Sequence, residues 1–209
     1  MNTHHTEPAT HRGEALDKAR VAVIMLHGRG GTTADILALS TQLPAMSVAY
    51  LAPRAAGNTW YPNRFIAPVA SNEPQLTHAL ETIATLMNQA FTVGIPYQRI
   101  ILLGFSQGAC LALEYAARFP RRFGGVVGLS GALIENGDQP RAYTGTLDNT
   151  PIFLGCSDID MHIPVERVRR SQRILQGLGA QVVARIYPGM DHIVNADEIE
   201  AVNQMILSI

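Results

Sequence analysis

The residues most suggestive of chemistry are in the segment GFSQG at positions 104–108 of this 209-residue chain, which places Ser106 between two glycines. This G-x-S-x-G pattern lies between an apolar run predicted to be a strand and one predicted to be a helix. A turn this tight strains the serine backbone, and a side chain on either glycine would collide with the chain. The hydroxyl is then exposed at a helix N-terminus, whose dipole favours developing negative charge. The pattern predicts Ser106 as a nucleophile.

A serine nucleophile requires a general base, and His192 is the histidine best placed to provide one. It follows the last predicted strand, which gives the chain order of serine, acid and histidine expected for a triad with a G-x-S-x-G turn. The other histidines are His4, His5 and His11 in the polar N-terminal segment, His27 in a glycine-rich turn, His78 in a predicted helix, and His162 after a strand. The sequence favours a solvated side chain for the three histidines of the N-terminal segment, a bracing role for His27 and a surface or packing role for His78. It indicates no role for His162.

A carboxylate must orient the base and stabilise its cation. Two candidates follow the strand predicted at 152–156, namely Asp158 and Asp160. The position of Asp160, four residues before the proline that precedes the next helix, favours it over Asp158, which could instead bond the loop backbone. Asp191, next to His192, is a third and weaker choice.

The oxyanion of an acyl-transfer intermediate requires backbone N–H donors. Gln107, directly after the nucleophile, can supply one donor from the first turn of its helix. The second donor is expected from the segment HGRGG at 27–31, most plausibly from Arg29. Glycine turns after strands are common, so the HGRGG segment alone is a weak signal. It indicates an oxyanion hole only in combination with the G-x-S-x-G turn.

The elements that must position these residues alternate between short β-rich runs and longer helical runs. Strands are predicted at 21–26, 48–51, 99–105, 125–129, 152–156 and 181–187, and helices at 34–43, 75–93, 107–119, 165–178 and 197–209. This alternation predicts the α/β fold class, with a mostly parallel sheet covered by helices on both faces. Sites in such folds form outside the carboxyl ends of the strands, where all the candidates lie.

Composition and charge exclude several other functions. Hydrophobic residues make up 47% of the chain and the formal net charge is −1, so a packed core is expected and nucleic-acid binding by bulk charge is not. Lys18 is the only lysine, which disfavours chemistry that needs a lysine in the core. No apolar segment approaches the roughly 18 residues needed to cross a bilayer, so membrane insertion is not expected.

The chain is expected to form one compact domain at 21–209 after a polar N-terminal tail at 1–20. The tail lacks the apolar stretch of a secretion signal. The two cysteines, Cys110 and Cys156, lie in apolar runs, so a reducing compartment and a cytoplasmic location are expected. Symmetric dimers are common among enzymes, so a homodimer is one expectation for assembly.

These segments together resemble the phospholipase/carboxylesterase family of α/β-hydrolases, which includes acyl-protein thioesterases and is close to the dienelactone hydrolases. The matching segments are LHGRGG at 26–31, TWYP at 59–62, GFSQGA at 104–109, DIDMHIP at 158–164 and GMDH at 189–192. The resemblance implies an α/β-hydrolase fold with Ser106, Asp160 and His192 as catalytic triad. It also implies an oxyanion hole made by the backbones of Arg29 and Gln107.

The chain departs from that family at two positions. Arg29 stands where a hydrophobic residue is frequent, which predicts a more polar pocket mouth. Met161 stands where a proline is common, which weakens the match of the acid loop. Dienelactone hydrolases use a cysteine nucleophile, so the serine at position 106 argues against their activity here.

Two rival interpretations use the same residues. The alternation of Asp158, Asp160 and His162 could indicate a metal site, but consecutive loop residues rarely converge on one ion, so neither a metal nor another cofactor is expected. A non-catalytic binding protein with this fold would usually lack a triad member, whereas candidates for all three are present.

The hydrophobic residues that could form a substrate pocket lie in one long loop. The loop at 52–74 carries Trp60, Tyr61, Phe65 and Ile66, which could line an acyl pocket or simply cover the core. Trp60 is taken as the substrate-binding candidate. The expected activity is hydrolysis of small carboxylic esters with short or medium acyl chains through an acyl-Ser106 intermediate, with thioesters and lysophospholipids as alternatives.

Overall fold

The computed structural model describes residues 8–137, 139 and 141–209. Of the N-terminal tail expected at 1–20, residues 1–7 lie outside this described part, and with them His4 and His5. None of the helices among the described residues is long and apolar enough to cross a membrane.

Within the described part of the chain, a seven-stranded sheet forms the centre, with the order β1-β3-β2-β4-β5-β6-β7. The strands are β1 Thr10–Gly13, β2 Val21–Leu26, β3 Val48–Ala52, β4 Ile100–Phe105, β5 Gly125–Leu129, β6 Pro151–Ser157 and β7 Gln181–Tyr187. All neighbouring pairs are parallel except β1 and β3. The predicted α/β class with a mostly parallel sheet is therefore confirmed.

Among the described residues, five α-helices cover the two faces of this sheet. They are α1 Thr33–Ala38, α2 Gln75–Thr92, α3 Gln107–Arg118, α4 Val165–Gly177 and α5 Ala196–Leu207. One core cluster joins α2, α3 and α4 to one face, and a second joins α1 and α5 to the other. All six residues of β2 are buried because alternate side chains enter these two clusters, which explains why the strand reads as a continuous apolar run.

Six strands were predicted, and the structure adds β1 within the segment expected to be a tail. Its four exposed residues pair antiparallel with β3, with Thr10 opposite Ala52 and Gly13 opposite Ala49. The strand has no hydrophobic pattern because it lies at the sheet edge and buries no face. The prediction therefore missed it for a physical reason, since periodicity reports burial rather than backbone pairing.

The last helix begins with a capping box that also fixes the end of the loop before it. The Asn195 side chain accepts a hydrogen bond from the backbone N–H of Glu198, and the Glu198 carboxylate accepts one from the N–H of Asn195. This reciprocal pair satisfies two donors at the helix start. It fixes the C-terminal end of the segment that carries His192.

Candidate active site

Ser106 lies on a strained turn between β4 and α3. Its backbone φ is 54° and ψ is −118°, a conformation that is costly for a residue with a side chain. The two flanking glycines permit the turn: a Cβ on Gly104 would lie 2.2 Å from the carbonyl carbon of Gly108, and one on Gly108 would lie 2.1 Å from the carbonyl oxygen of Leu26. Ser106 is thereby held at the N-terminus of α3, as the glycine pattern predicted.

The loop after β6 brings Asp160 to His192. The Nδ1 atom of His192 lies 2.6 Å from Oδ2 of Asp160, whose side chain is fully buried. The other oxygen, Oδ1, accepts hydrogen bonds from the backbone N–H groups of His162 and Ile163. With both oxygens engaged, the carboxylate is held in one orientation and fixes that of the imidazole.

The electrostatics of Asp160 favour the ionised form. Burial raises the pKa of the carboxyl, but the hydrogen bonds from His192 and from two backbone N–H groups lower it by more, so that the pKa lies below its ordinary value. A carboxylate that is ionised and bonded to Nδ1 directs the lone pair of Nε2 away from itself. His192 is therefore oriented to accept a proton at Nε2.

The other two candidate carboxylates have different environments. Oδ1 of Asp158 accepts a hydrogen bond of 2.8 Å from the backbone N–H of Gly189, which ties the loop after β6 to the loop after β7. Asp191 is exposed, and its backbone carbonyl accepts from the N–H of Ile193. Asp160 is the one of the three that contacts the histidine.

Ser106 and His192 line the same cleft, which has a volume of about 280 Å³. The ring of Phe105 packs against that of His192 with 4.9 Å between centroids. The Ser106 hydroxyl makes no hydrogen bond within the described part of the chain, and such bonds often tighten only when substrate is present. Cys110 also lines the cleft, but burial raises the pKa of its thiol to about 12, so it is not an activated nucleophile.

Gln107 and Arg29, the two residues predicted to supply oxyanion donors, both line the cleft. Gln107 is the first residue of α3, so its N–H has no partner within the helix. Its buried side-chain amide accepts from the N–H of Trp60 and donates to the carbonyl of Tyr61. The guanidinium of Arg29 donates to the carbonyls of residues 61, 62 and 63. Both side chains thus hold the loop after β3 against the cleft.

Trp60, the substrate-binding candidate from the sequence, does not line the cleft. Its side chain is fully buried, and its indole Nε1 donates a 2.8 Å hydrogen bond to the carbonyl of His27. The sequence-based assignment of Trp60 to the substrate pocket is wrong for a physical reason, because a large aromatic residue with a polar atom finds both apolar contact and a hydrogen-bond partner inside the core. Trp60 therefore supports the glycine turn from behind and is absent from the lining of the cleft.

His27 braces the same turn. Its Nε2 accepts from the backbone N–H of Ala55, so Nδ1 carries the proton that is donated to the carbonyl of Gly28. Burial lowers the pKa of His27, which keeps the imidazole neutral. The residue positions the turn that carries Arg29 and is not a second base.

The cleft contains residues to which the sequence assigned no role. Arg64 lines it and donates a 3.2 Å hydrogen bond to the carbonyl of His162, across 98 residues of chain. The ring of His162 lies 5.0 Å from that of His192 in an edge-on arrangement. Tyr61 and Phe65 also line the cleft and provide apolar walls. They are two of the four hydrophobic residues of the loop at 52–74 that could have lined an acyl pocket. No local pattern could have identified Arg64, because its place depends on two distant loops.

The residues considered for a metal site are engaged otherwise. Asp158 bonds Gly189 and Asp160 bonds His192, so the carboxylates do not converge. Among the described residues there is no group of three or more histidines, cysteines, aspartates or glutamates that could hold a metal ion. The arrangement can support nucleophilic attack by a serine hydroxyl with a histidine as base.

Comparison with known proteins gives one family and consistent relatives. A profile described as phospholipase/carboxylesterase matches residues 13–208. Acyl-protein thioesterase 1 of Gibberella zeae is 34% identical over 119 residues, which are 56% of this chain and 51% of that protein. Acyl-protein thioesterase 1 of Saccharomyces cerevisiae is 33% identical over 125 residues, covering 59% of this chain and 55% of that protein. The matched segment thus spans about half the length of these relatives.

A solved structure extends the likeness to the whole domain. The crystal structure of a phospholipase/carboxylesterase from Dyadobacter fermentans has a TM-score of 0.91 and 42% sequence identity. The alignment covers 97% of each chain. The similarity therefore includes both the sheet and the loops at its carboxyl edge.

Proposed function

Because the chain belongs to the phospholipase/carboxylesterase family of α/β-hydrolases and is a hydrolase, we propose that it is a serine carboxylesterase that cleaves small esters through an acyl-Ser106 intermediate. In this proposal Ser106, His192 and Asp160 form the catalytic triad. The backbone N–H groups of Arg29 and Gln107 form the oxyanion hole. The observation that carries the proposal is the hydrogen bond of 2.6 Å between His192 and buried Asp160 in the cleft that Ser106 lines.

Acylation begins when the Ser106 hydroxyl attacks the ester carbonyl. Nε2 of His192 takes the hydroxyl proton as the new bond between the serine oxygen and the acyl carbon forms. Negative charge develops on the carbonyl oxygen, where the two backbone donors stabilise it. Removing one such donor typically costs about 3 kcal/mol of transition-state stabilisation. The intermediate collapses as the ester C–O bond breaks and His192 protonates the leaving alcohol.

Deacylation repeats these steps with water. His192 removes a proton from the water as its oxygen attacks the acyl carbon, and the returned proton restores the Ser106 hydroxyl when the acid departs. Asp160 stabilises the imidazolium in both halves without taking its proton. Because the base must be neutral to act, the rate is expected to fall in acid.

Thioester hydrolysis is the second candidate, since the same acyl-transfer groups serve both reactions. It is favoured by the two fungal relatives named acyl-protein thioesterase 1, which are 34% and 33% identical over part of their length. A lysophospholipase would need room for a longer acyl chain. The cleft volume of about 280 Å³ lies at the small end for ligand pockets and supports a small ester more than a lipid.

Location, assembly and partners remain predictions. The two buried free thiols, Cys110 and Cys156, fit the expected reducing, cytoplasmic compartment. A homodimer stays a prediction. The partner expected for the site is a small ester, with no nucleic acid and no membrane insertion.

The first test is labelling by a fluorophosphonate probe, which reacts with activated serines. We expect the wild type to be labelled and Ser106→Ala to lose both labelling and hydrolysis of p-nitrophenyl esters. Ser208→Ala, at an exposed helix end, is the matched control and should behave as wild type. Parallel assays on acyl thioesters and on esters of increasing chain length separate the candidate functions. If the wild type is folded but is not labelled and cleaves no ester, the proposal is wrong and a non-catalytic binding protein becomes the better interpretation.

A further inference from the structure

Of the residues that the structure describes, two arginines and no acidic side chain line the cleft beside Ser106. Arg29 and Arg64 line it together with His162 and His192, and none of the described lining residues is an aspartate or glutamate. The carboxylate of Asp160 is buried and is already bonded to His192. The cleft is therefore positively charged, although the chain as a whole has a formal charge of −1.

The guanidinium of Arg29 is held in place without a counter-charge. Its hydrogen bonds go to three backbone carbonyls, those of residues 61, 62 and 63. Carbonyls satisfy N–H groups but do not neutralise a cation, and no ion pair of Arg29 occurs among the described residues. Arg29 consequently contributes a fixed positive charge to the cleft wall.

Arg64 has N–H donors that are available to bind a ligand. It is exposed, and its hydrogen bond within the described chain is one N–H to the carbonyl of His162. A guanidinium has five N–H donors in a fork that matches a carboxylate, so several remain available. The bond to the His162 carbonyl holds the exposed head group beside the cleft, which His162 also lines. This geometry is suited to a charged ligand that enters the cleft.

A concave site with one sign of charge attracts ligands of the opposite sign. Its low-dielectric walls focus the field, which raises both the local concentration of an anion and its rate of binding. A neutral ester gains nothing from this field in the ground state, since its charge develops only during reaction. The two arginines therefore bear on which ester is selected.

We propose that the preferred substrate is an ester that carries a second, ionised carboxylate, and that Arg64 binds this carboxylate while Ser106 attacks the ester carbonyl. This inference rests on the proposed esterase function. The reaction is the same hydrolysis: the ester C–O bond breaks, water supplies the new acid oxygen, and the alcohol leaves with a proton from His192. The second carboxylate is unchanged and serves only for binding.

The test compares charged esters with neutral esters of the same shape. On the acyl side the pair is monomethyl glutarate and methyl 5-methylhexanoate. On the alcohol side it is the acetate ester of 3-hydroxypropanoate and 3-methylbutyl acetate. The release of acid is followed by titration at constant pH. We expect the wild type to give a higher kcat/KM for the charged member of at least one pair, and that pair identifies the side that carries the carboxylate.

Substitution of Arg64 then separates binding of charge from support of the loop. Arg64→Gln should lower the ratio of charged to neutral kcat/KM about tenfold, as expected for loss of a hydrogen-bonded ionic contact. Arg64→Lys should retain part of that ratio because the charge remains. Arg169→Gln, an exposed arginine of α4 outside the cleft, is the control and should leave the ratio unchanged.

Four outcomes decide between these possibilities. A charged-to-neutral ratio that exceeds one, falls in Arg64→Gln and falls with rising ionic strength supports the inference. If Arg64→Gln lowers both members of a pair equally, Arg64 only supports the His162 loop and the inference is wrong. If the wild type hydrolyses neutral esters but not charged ones, the esterase proposal is supported and the proposed preference for a carboxylate-bearing ester is wrong. If no ester is hydrolysed and the fluorophosphonate probe does not label the protein, both the esterase proposal and the proposed substrate class are wrong.

Discussion

At the scale of single residues, the two carboxylates after β6 differ in what they contact. Asp160 is buried and bonded to the His192 ring, whereas Asp158 bonds the backbone N–H of Gly189. The two lie two positions apart in one loop, yet one faces the imidazole and the other ties two loops together. The same residue type therefore has two roles, set by its partners.

Replacing these carboxylates separately should give unequal losses. Asp160→Asn should lower kcat by about three to four orders of magnitude, because a neutral amide neither holds the required tautomer nor stabilises the imidazolium. Asp158→Asn is the matched change and should retain most of kcat, since its amide oxygen can still accept from Gly189. Initial rates on one p-nitrophenyl ester measure both. A larger loss of kcat in Asp158→Asn than in Asp160→Asn would show that the acid is Asp158 and not Asp160.

At the scale of elements, the turn between β4 and α3 depends on close approach to the neighbouring β2. Gly108 lies against the end of β2, where a Cβ would lie 2.1 Å from the carbonyl oxygen of Leu26. Backbone cannot move aside as a flexible side chain can. The glycines around Ser106 thus join the strand, the turn and the helix into one packed unit.

Gly108→Ala should therefore destabilise the protein strongly and reduce activity in whatever folds. We expect a loss of at least about 2 kcal/mol in the free energy of unfolding, in line with overpacking against backbone. Gly177→Ala is the matched control, because Gly177 ends α4 and a Cβ added there would have no atom within 4 Å, so no loss of this kind is expected. Urea unfolding of both variants measures the difference. Equal stability of the two variants would contradict the close packing.

At the scale of the whole molecule, two buried carboxyl groups give opposite dependences of stability on pH. Glu198 is fully buried; one of its oxygens accepts from Asn195, and the other has no hydrogen bond within the described chain. Burial raises the pKa of Glu198 to about 7. Asp160 has a lowered pKa because hydrogen bonds to its ionised form outweigh its burial.

These shifts predict a stability maximum at mildly acidic pH. The contribution of Glu198 is fully present below its unfolded pKa of 4.5 and is lost as pH rises through about 7. That of Asp160 is present above 3.8 and is lost as pH falls through its lowered pKa. The melting temperature should therefore be lower at pH 8 than at pH 5.5.

Glu198→Gln should reduce that fall in melting temperature, because the amide does not ionise. Glu200→Gln changes an exposed carboxylate on the same helix and should keep the fall seen in the wild type. Calorimetry at the two pH values measures all three proteins. If Glu198→Gln and the wild type lose the same number of degrees, another group causes the dependence.

The sequence alone determined the fold class and the position of Ser106, because both depend on local signals. Alternating apolar runs report burial, and glycines around a serine report a tight turn, so neither requires knowledge of distant residues. The same locality placed His192 after the last strand. It also set the limits of prediction: β1 buries no side chain, so its pairing with β3 left no pattern to read.

Only the tertiary structure decided which side chains meet at the cleft. Whether Asp158 or Asp160 contacts His192 depends on how two loops fold against each other. Trp60 is buried and Arg64 lies in the cleft, although both come from one loop and the sequence favoured the tryptophan. The physical reason is that a side chain's contacts depend on segments far away in the chain, as the bond from Arg64 to His162 illustrates.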